Sequence, residues 1–308
     1  MLCYTTPMKI YMLSDYLKEH YGTKVYKLSL QSGCSCPNRD GTLSYGGCIF
    51  CSEGGSGDFA APLLPLKEQL RLAKARVEAK LPKNRAAGEQ KYIAYFQSYT
   101  NTYGPVDRLE ALYREALAQP EIVALSLGTR PDCLPDEMLA MLRRLREESG
   151  KDIWIELGLQ SIHETTVERI HRGYPLAVFD DAYRRLKAAD FTVIVHVILG
   201  FPWETEDDML ATIRYLSALK PTLDGIKLQL LHVLRGTELG RMYEAEPFRT
   251  LTLDEYCTLV VKCLKLLPPD TVIHRITGDG PKRLLLAPLW SADKKLVLNT
   301  LNRSIREA

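Results

Sequence analysis

The stretch from residue 153 to residue 199 decides the fold class, and it reads IWIELGLQSIHETTVERIHRGYPLAVFDDAYRRLKAADFTVIVHVIL. The runs 153–159 and 192–199 are apolar at nearly every position, and the segment 178–189 between them has the periodicity of a helix. Strands that are apolar on both faces are typical of parallel sheets covered by helices. We therefore expect a β-α-β unit with two parallel, buried strands.

The same alternation continues on both sides of this stretch. Further strand-like runs, rich in β-branched and aromatic residues, lie at 25–30, 92–96, 122–127, 225–231 and 271–276. Further segments with helical periodicity lie at 66–80, 106–118, 136–148, 206–219 and 253–267. Strand and helix alternate about six times, which predicts an α/β protein built either as a barrel or as a doubly wound sheet.

Length and composition exclude several other classes of protein. The 308 residues are 46% apolar and 25% charged with a net charge of +2, which is typical of a globular protein and not of a disordered chain or a simple polycation. No apolar run approaches the roughly 20 residues that span a bilayer, and the first residues lack the pattern of a secretory signal. We expect a cytoplasmic protein without a membrane partner. The chain contains no linker-like tract, so we expect one domain over 1–308, with a core at 25–267 and short extensions at 1–24 and 268–308.

Polar and glycine-rich segments follow the predicted strands. They are 33–41 with 46–51, then 97–104, 128–132, 156–161, 200–204 and 232–237. In parallel α/β folds the active site forms at the carboxyl ends of the strands. These segments therefore predict an active site at one rim of the sheet.

The first of these segments holds a cluster of thiols, Cys34, Cys36, Cys48 and Cys51. In a reducing compartment such a cluster holds a metal or an iron-sulfur centre, whereas the isolated cysteines elsewhere are expected to be buried. All four thiols could form a tetrahedral zinc site, or Cys36, Cys48 and Cys51 could hold a [4Fe-4S] cluster with one iron lacking a protein ligand. The spacing of the cysteines alone does not distinguish the zinc site from the iron-sulfur cluster. A position at the catalytic rim favours the iron-sulfur cluster.

The spacing Cys36-x11-Cys48-x2-Cys51 occurs together with several other motifs. These are CPNRDG at 36–41, YFQ at 95–97, TNTY at 100–103, GTRPD at 128–132, ELGLQ at 156–160 and TGD at 277–279. The combination resembles radical S-adenosylmethionine (SAM) proteins of the YhcC/YtqA type, relatives of the radical SAM part of the Elongator catalytic subunit. Cys34 departs from the pattern, because the family usually has an aromatic residue there. It is either an alternative ligand or a small buried thiol, and the unbroken Cys36-Pro37 register favours the buried thiol.

The resemblance implies a partial (β/α)6-type parallel barrel that carries a [4Fe-4S] cluster on Cys36, Cys48 and Cys51. SAM would chelate the remaining iron, and the reduced cluster would cleave SAM to a 5′-deoxyadenosyl radical that abstracts hydrogen from the substrate. The residues expected to bind SAM are Ser98, Thr100, Asn101, Arg130, Glu156 and Gln160. No catalytic side chain is assigned.

Several of these residues have a plainer explanation as well. Glu156 lies in an apolar strand, where a carboxylate is costly unless it is paired, so a basic partner could account for it. Arg130, in a loop stiffened by proline, could bind a carboxylate or phosphate of a ligand or could pair with Asp132. Residues 98–101 could form an ordinary turn. His196 is as readily a core histidine as a functional one.

The resemblance also implies partners. An electron donor such as a flavodoxin or a ferredoxin is expected, and the Elongator likeness suggests the wobble uridine of transfer RNA as substrate. Residues 67–91 carry eight basic residues against three acidic ones, so this segment could follow a phosphate backbone or form a solvated face. The alternative function is a non-catalytic zinc-binding or RNA-binding module on a barrel scaffold.

Overall fold

A computed structural model describes residues 10–55, 57–79, 90–278 and 280–308. Its strands, numbered in chain order, are β1 (Val25–Leu30), β2 (Lys91–Phe96), β3 (Ile122–Thr129), β4 (Asp152–Gln160), β5 (Thr192–Leu199), β6 (Gly225–Leu230), β7 (Val233–Leu234), β8 (Val272–Arg275) and β9 (Leu285–Ala287). Its α-helices are α1 (Leu13–Tyr21), α2 (Leu66–Glu78), α3 (Val106–Leu117), α4 (Asp136–Ser149), α5 (Glu164–Arg169), α6 (Leu176–Ala188), α7 (Glu206–Ser217), α8 (Glu238–Ala245), α9 (Leu253–Leu266) and α10 (Lys294–Arg306).

Seven parallel strands form one sheet in the order β1-β2-β3-β4-β5-β6-β8. The sheet is strongly curled, because side chains from strands that are far apart in this order meet inside it. Lys27 on β1 contacts Glu156 on β4, and Lys227 on β6 contacts Tyr95 on β2. A flat sheet would hold these strands well apart, since neighbouring strands are spaced by about 4.8 Å. The predicted partial parallel barrel is confirmed.

The predicted elements agree closely with the observed ones. The opening stretch forms β4, α6 and β5, and the helix begins two residues before its predicted start. The predicted C-terminal extension contributes β8, which pairs with β6 from Gly225↔Val272 onward and so becomes the seventh strand of the sheet. β7 and β9 form a separate antiparallel pair. Cys3, Asp279 and residues 80–89 of the basic segment lie outside the described residues.

Two apolar layers hold the sheet in place. The outer face packs against the helices through residues such as Leu28, Leu125 and Val195, all of which are fully buried. Inside the curl, near the amino ends of the strands, a second apolar cluster fills the lumen. It comprises Leu17 of α1 with Val25, Ile93, Ala124, Trp154 and Ile194. This cluster, called the plug below, closes one end of the barrel. In the part of the chain that is described, no helix is both long and apolar enough to cross a membrane.

Candidate active site

Directly above the plug the lumen becomes polar. Side chains on a strand alternate between its two faces, so the residues two positions beyond the plug also point into the lumen. These residues are Lys27, Tyr95, Ser126, Glu156 and His196. Together with Lys227, which pairs in register with His196, they are called the polar layer. One step further along the strands come Gln97, Gly128, Gly158 and Gln229, all of which line a cavity. A purely structural barrel would fill these positions with apolar side chains, so the polar layer indicates a functional lumen.

Glu156 is the centre of the polar layer. Its Oε1 accepts hydrogen bonds from Lys27 Nζ and from Ser126 Oγ, both at 2.7 Å. Its Oε2 accepts from Lys227 Nζ and from His196 Nε2, the latter at 2.8 Å. Burial alone would raise the pKa of Glu156, but the ammonium groups of Lys227 and Lys27 hold this pKa well below its usual value. Glu156 is therefore an ionised carboxylate with four donors, as the pairing explanation requires.

The pKa of His196 predicts a pH dependence of stability. Burial, together with the charge of Lys227, lowers this pKa to about 4, although the hydrogen bond to Glu156 opposes the shift. An unfolded histidine titrates near 6.5, so the unfolded state takes up a proton first as the pH falls. Stability should therefore decline from about pH 6.5 towards pH 4, with His196 contributing about 3 kcal/mol of the loss. Urea unfolding at several pH values should show a shallower decline in His196→Gln. An equal decline in both proteins would contradict this assignment.

A cavity of about 250 Å³ extends from the polar layer to the rim of the barrel. All three predicted cluster ligands, Cys36, Cys48 and Cys51, line it. Four of the six predicted SAM-binding residues line the same cavity, namely Thr100, Arg130, Glu156 and Gln160. The structure thus brings the thiols and most of the predicted polar residues into one space, at the carboxyl ends of the strands.

The cysteine loop is held in place by its own polar side chains. Asn38 Nδ2 donates to the carbonyl oxygens of His171 at 2.7 Å and Arg172 at 3.0 Å, which ties the loop to the segment after α5. Arg39 donates to the carbonyl oxygens of Cys51 at 3.0 Å and Ser52 at 2.6 Å. These bonds fix the positions of all three thiol-bearing segments relative to one another.

The thiols suit an iron-sulfur cluster better than a single ion. Burial raises the pKa of Cys48 to about 12, Cys51 and Cys36 add to this rise, and Arg130 opposes it. A bound metal would supply the positive charge that thiolates need here. Among the described residues, no three His, Cys, Asp or Glu side chains are arranged to hold one metal ion. A [4Fe-4S] cluster makes a different demand, because each cysteine ligates a separate iron.

Cys34 takes no part in this group. It is buried and does not line the cavity, and its Sγ lies 3.2 Å from Arg108 Nη2. The structure therefore places Cys34 as a small buried thiol and gives no support to a zinc site built from all four cysteines.

Two predicted SAM-binding residues lie outside the cavity. Asn101 is fully buried, and its amide accepts from Ser32 Oγ at 2.6 Å and donates to the carbonyl oxygens of Phe96 and Gly128. All its bonding capacity is therefore used to shape the turn after β2. Ser98 lies beneath Gly57, where an added Cβ would come within 1.8 Å of its Oγ. The side chain of Asn101 stabilises a turn, in agreement with the plainer explanation, whereas the buried Oγ of Ser98 has no hydrogen-bond partner in the described structure. Binding of SAM by either residue stays a prediction.

Arg130 and Gln160 differ in how far the protein already satisfies them. Arg130 forms a two-pronged ion pair with Asp132, at 2.9 and 2.7 Å, and its guanidinium lies 4.8 Å from the centre of the Tyr174 ring. Gln160 has a positive φ of 68°, and its buried Oε1 has no hydrogen-bond partner in the described structure. A buried acceptor without a partner is rare in proteins. A donor group of a ligand would satisfy Gln160.

Sequence reasoning missed Lys27, Lys227 and Arg275. A signal for the two lysines was present, because each is the one charged residue of a predicted strand that is mostly apolar. Lysine is almost never fully buried without a partner, so this placement indicates a polar lumen. Arg275 gave no such signal, since it stands at the end of its strand.

Comparison with known proteins identifies the family. Residues 36–216 match the sequence model of the Radical SAM superfamily, which covers more than half of the chain. This chain belongs to the radical SAM superfamily. Residues 223–307 match the Radical_SAM C-terminal domain. Radical SAM proteins use a [4Fe-4S] cluster and SAM, so this chain is an enzyme with those cofactors.

Individual relatives show which radical SAM proteins this chain resembles. The chain is 40% identical to the uncharacterized protein YtqA of Bacillus subtilis over 97% of this chain and 90% of YtqA. It is 36% identical to the protein YhcC of Escherichia coli K12 over 96% of this chain and 92% of YhcC. Elongator complex protein 3 of Schizosaccharomyces pombe is more distant, at 26% identity over 62% of this chain and 35% of that protein. The predicted family resemblance is confirmed, and a non-catalytic zinc-binding or RNA-binding module is not favoured.

A solved structure supports the fold. The archaeal Elp3 of Methanocaldococcus infernus, with residues 1–46 deleted, superposes with a TM-score of 0.66 at 16% identity. The match covers 92% of this chain and 63% of that chain. The curled parallel sheet described above is therefore the fold of known radical SAM proteins.

Proposed function

We propose that Cys36, Cys48 and Cys51 hold the [4Fe-4S] cluster and that the lumen between them and the polar layer takes SAM and the substrate. The observation that carries this proposal is that the three thiols line the same cavity as Gln160, whose buried Oε1 has no partner in the described structure. When bound, the reduced cluster supplies the electron that splits SAM, and the radical so formed removes a hydrogen atom from the substrate.

The chain's own residues position and shield these groups. Asn38 Nδ2 lies 3.7 Å from Cys48 Sγ, and hydrogen bonds to cluster sulfurs tune the reduction potential. Gly158 keeps the lumen open, because an added Cβ would come within 3.0 Å of Gln160 Nε2. Thr100, Arg130 and Gln160 lie where they can contact SAM, whereas Glu156 acts through the lysines that it holds in the polar layer. The plug keeps water from entering through the opposite end.

We further propose that the substrate is transfer RNA, at the wobble uridine. The similarity to Elongator complex protein 3 supports this. The basic segment at 67–91 adds little support for binding of RNA. In its described part, Arg71 pairs with Glu68 at 2.5 Å, and Lys74 pairs with Glu121. Ion pairs within the protein leave fewer charges for a phosphate backbone.

Radical SAM enzymes need an electron donor, and we propose a flavodoxin or a ferredoxin in the cytoplasm. The clustered thiols support this location, because a reducing compartment keeps them available as ligands.

Anaerobic reconstitution tests the proposed activity. The protein is loaded with iron and sulfide, mixed with SAM and reduced with dithionite, and 5′-deoxyadenosine is measured by chromatography. Its formation is the expected result, and bound zinc with no SAM turnover would refute the proposal. Nucleoside mass spectrometry of transfer RNA from a deletion strain then tests the substrate. Wobble uridine unchanged between deletion and parent strains would refute the transfer-RNA proposal.

Gln160→Ala should weaken SAM binding. Loss of one hydrogen bond between a buried partner and the ligand corresponds to about a tenfold increase in Kd. Isothermal titration of the reconstituted protein measures this value. Gln119→Ala is the matched control, because Gln119 lies outside the cavity and its side chain donates to the carbonyl oxygen of Glu115 on α3. An unchanged Kd in Gln160→Ala would remove this side chain from the SAM site.

A further inference from the structure

Four arginines line the cavity among the described residues, and three of them are already engaged. Arg39 donates to carbonyl oxygens of the cysteine loop, and Arg130 pairs with Asp132. Arg172 is buried and donates to the carbonyl oxygens of three residues, Leu159, Ser161 and Tyr174. Arg275 differs from them, since its guanidinium makes no hydrogen bond or ion pair within the described structure.

Arg275 stands at the polar floor of the cavity. It is the last residue of β8, half-buried, and pairs in register with Lys227 of the polar layer. His196 on β5, which pairs in register with Lys227, and Gln229 on β6 also line the cavity. Gln229 Nε2 lies 3.5 Å from His196 Nδ1. Arg275 therefore faces the space where SAM and the substrate would meet, at its deep end.

Among the described residues, no carboxylate pairs with Arg275. The carboxylates among them that line the cavity are those of Glu156 and Asp58. Both oxygens of Glu156 are engaged by the four donors of the polar layer, and Asp58 accepts from Ser52 on the cysteine loop at 2.8 Å. Lys27 and Lys227 both pair with Glu156, and burial lowers the pKa of Lys227 well below its usual value. The carboxylate of Glu156 is therefore already used by the polar layer and is not available to Arg275.

We infer that Arg275 binds an anionic oxygen group, a carboxylate or a phosphate, on the part of the substrate that enters the lumen. A guanidinium presents a planar fork of N–H donors that matches both groups. The inference rests on the proposed function in one respect, namely that the lumen takes the substrate. It requires that a substrate without an anionic group close to its reacting part bind poorly, because Arg275 would then be left without a counter-ion. In transfer RNA the phosphates that flank the wobble uridine are such groups.

Small anions can probe this subsite directly. The reconstituted protein is saturated with SAM and kept oxidised, so that SAM is not cleaved, and is titrated calorimetrically with inorganic phosphate, acetate and neutral acetamide. Binding of phosphate or of acetate, with no binding of acetamide, is the expected result. Preference for phosphate indicates a phosphorylated substrate, and preference for acetate indicates a carboxylate. Equal binding of acetamide, or no binding of either anion, would overturn the inference.

Variants show whether Arg275 is responsible. Arg275→Gln should weaken binding of the preferred anion about tenfold or more, and Arg275→Lys should retain part of it. Arg235→Gln, which alters an exposed arginine paired with Glu244 outside the cavity, is the control. Gln229→Glu is a second test that leaves Arg275 in place, because a new carboxylate in the lumen should compete with the anion. Unchanged anion affinity in Arg275→Gln and Gln229→Glu would overturn the inference.

Two further measurements separate this inference from the proposed function. Iron content and the Kd for SAM are determined on the same samples. If the wild-type protein holds no cluster and binds no SAM, the proposed function fails. If cluster and SAM bind but the anions do not, the inference about Arg275 fails alone. If Arg275→Gln loses SAM affinity as strongly as anion affinity, Arg275 belongs to the SAM site and the inference is wrong.

Discussion

Cys36→Ala, Cys48→Ala and Cys51→Ala should each abolish cluster assembly and, with it, cleavage of SAM. Three thiolates are the complete protein ligand set in the proposed site, so the loss of one leaves two irons without a protein ligand. Iron bound after anaerobic reconstitution should fall from about four atoms per chain to background. Iron and sulfide analysis, with the visible absorption spectrum, measures this directly.

Cys34→Ala is the matched control for these variants, because Cys34 lies in the same loop but outside the cavity. It should assemble a cluster as the unaltered protein does. Cys257→Ala, at a buried position on α9, controls for the loss of any thiol. A full cluster in the Cys36, Cys48 or Cys51 variant, or its loss in Cys34→Ala, would show that the ligand set is wrong.

Glu156→Gln should lower the free energy of unfolding by about 3–5 kcal/mol. The substitution preserves the shape of the side chain but removes the charge that Lys27 and Lys227 share. Lys227 is 3% exposed, so its ammonium group cannot recover the lost interaction from water. Urea unfolding of the protein, followed by circular dichroism near neutral pH, measures the loss. Glu68→Gln, which removes an exposed partner of Arg71, should leave stability unchanged.

A double-mutant cycle separates charge pairing from packing. Lys227→Met removes one of the two ammonium groups, and combined with Glu156→Gln it should restore part of the lost stability. The coupling energy should be about 1–3 kcal/mol, because the two side chains are in direct contact. Additive losses in the double variant would mean that Glu156 contributes by packing or hydrogen bonding alone. The pairing described above would then be incorrect.

The fold was predictable because its signals are local. The apolar runs at 153–159 and 192–199 and the helical period between them need no information from distant residues. Cys36, Cys48 and Cys51 were predictable for the same reason, since they lie within one short loop. The seventh strand shows the limit of this reasoning. The sequence of residues 271–276 predicts a strand, but it does not predict that this strand pairs with β6.

The polar layer could not be read from the chain. The donors to Glu156 come from β1, β3, β5 and β6, and no sequence spacing connects Lys27 with Lys227. Asn101 and Gln160 looked equally suited to SAM as polar residues of two motifs. Folding distinguishes these two residues. The side-chain amide of Asn101 is hydrogen-bonded to the protein, whereas Gln160 keeps a buried oxygen without a partner in the described structure. Such a difference depends on which groups lie within about 3 Å, a distance that only folding sets.

The plug has a consequence for how the lumen is reached. Trp154 and Ile194, with their neighbours and α1, close the amino-terminal end of the barrel. A substrate group that contacts Arg275 therefore cannot arrive through that end, and it has to approach from the side of the sheet that carries the cysteine loop.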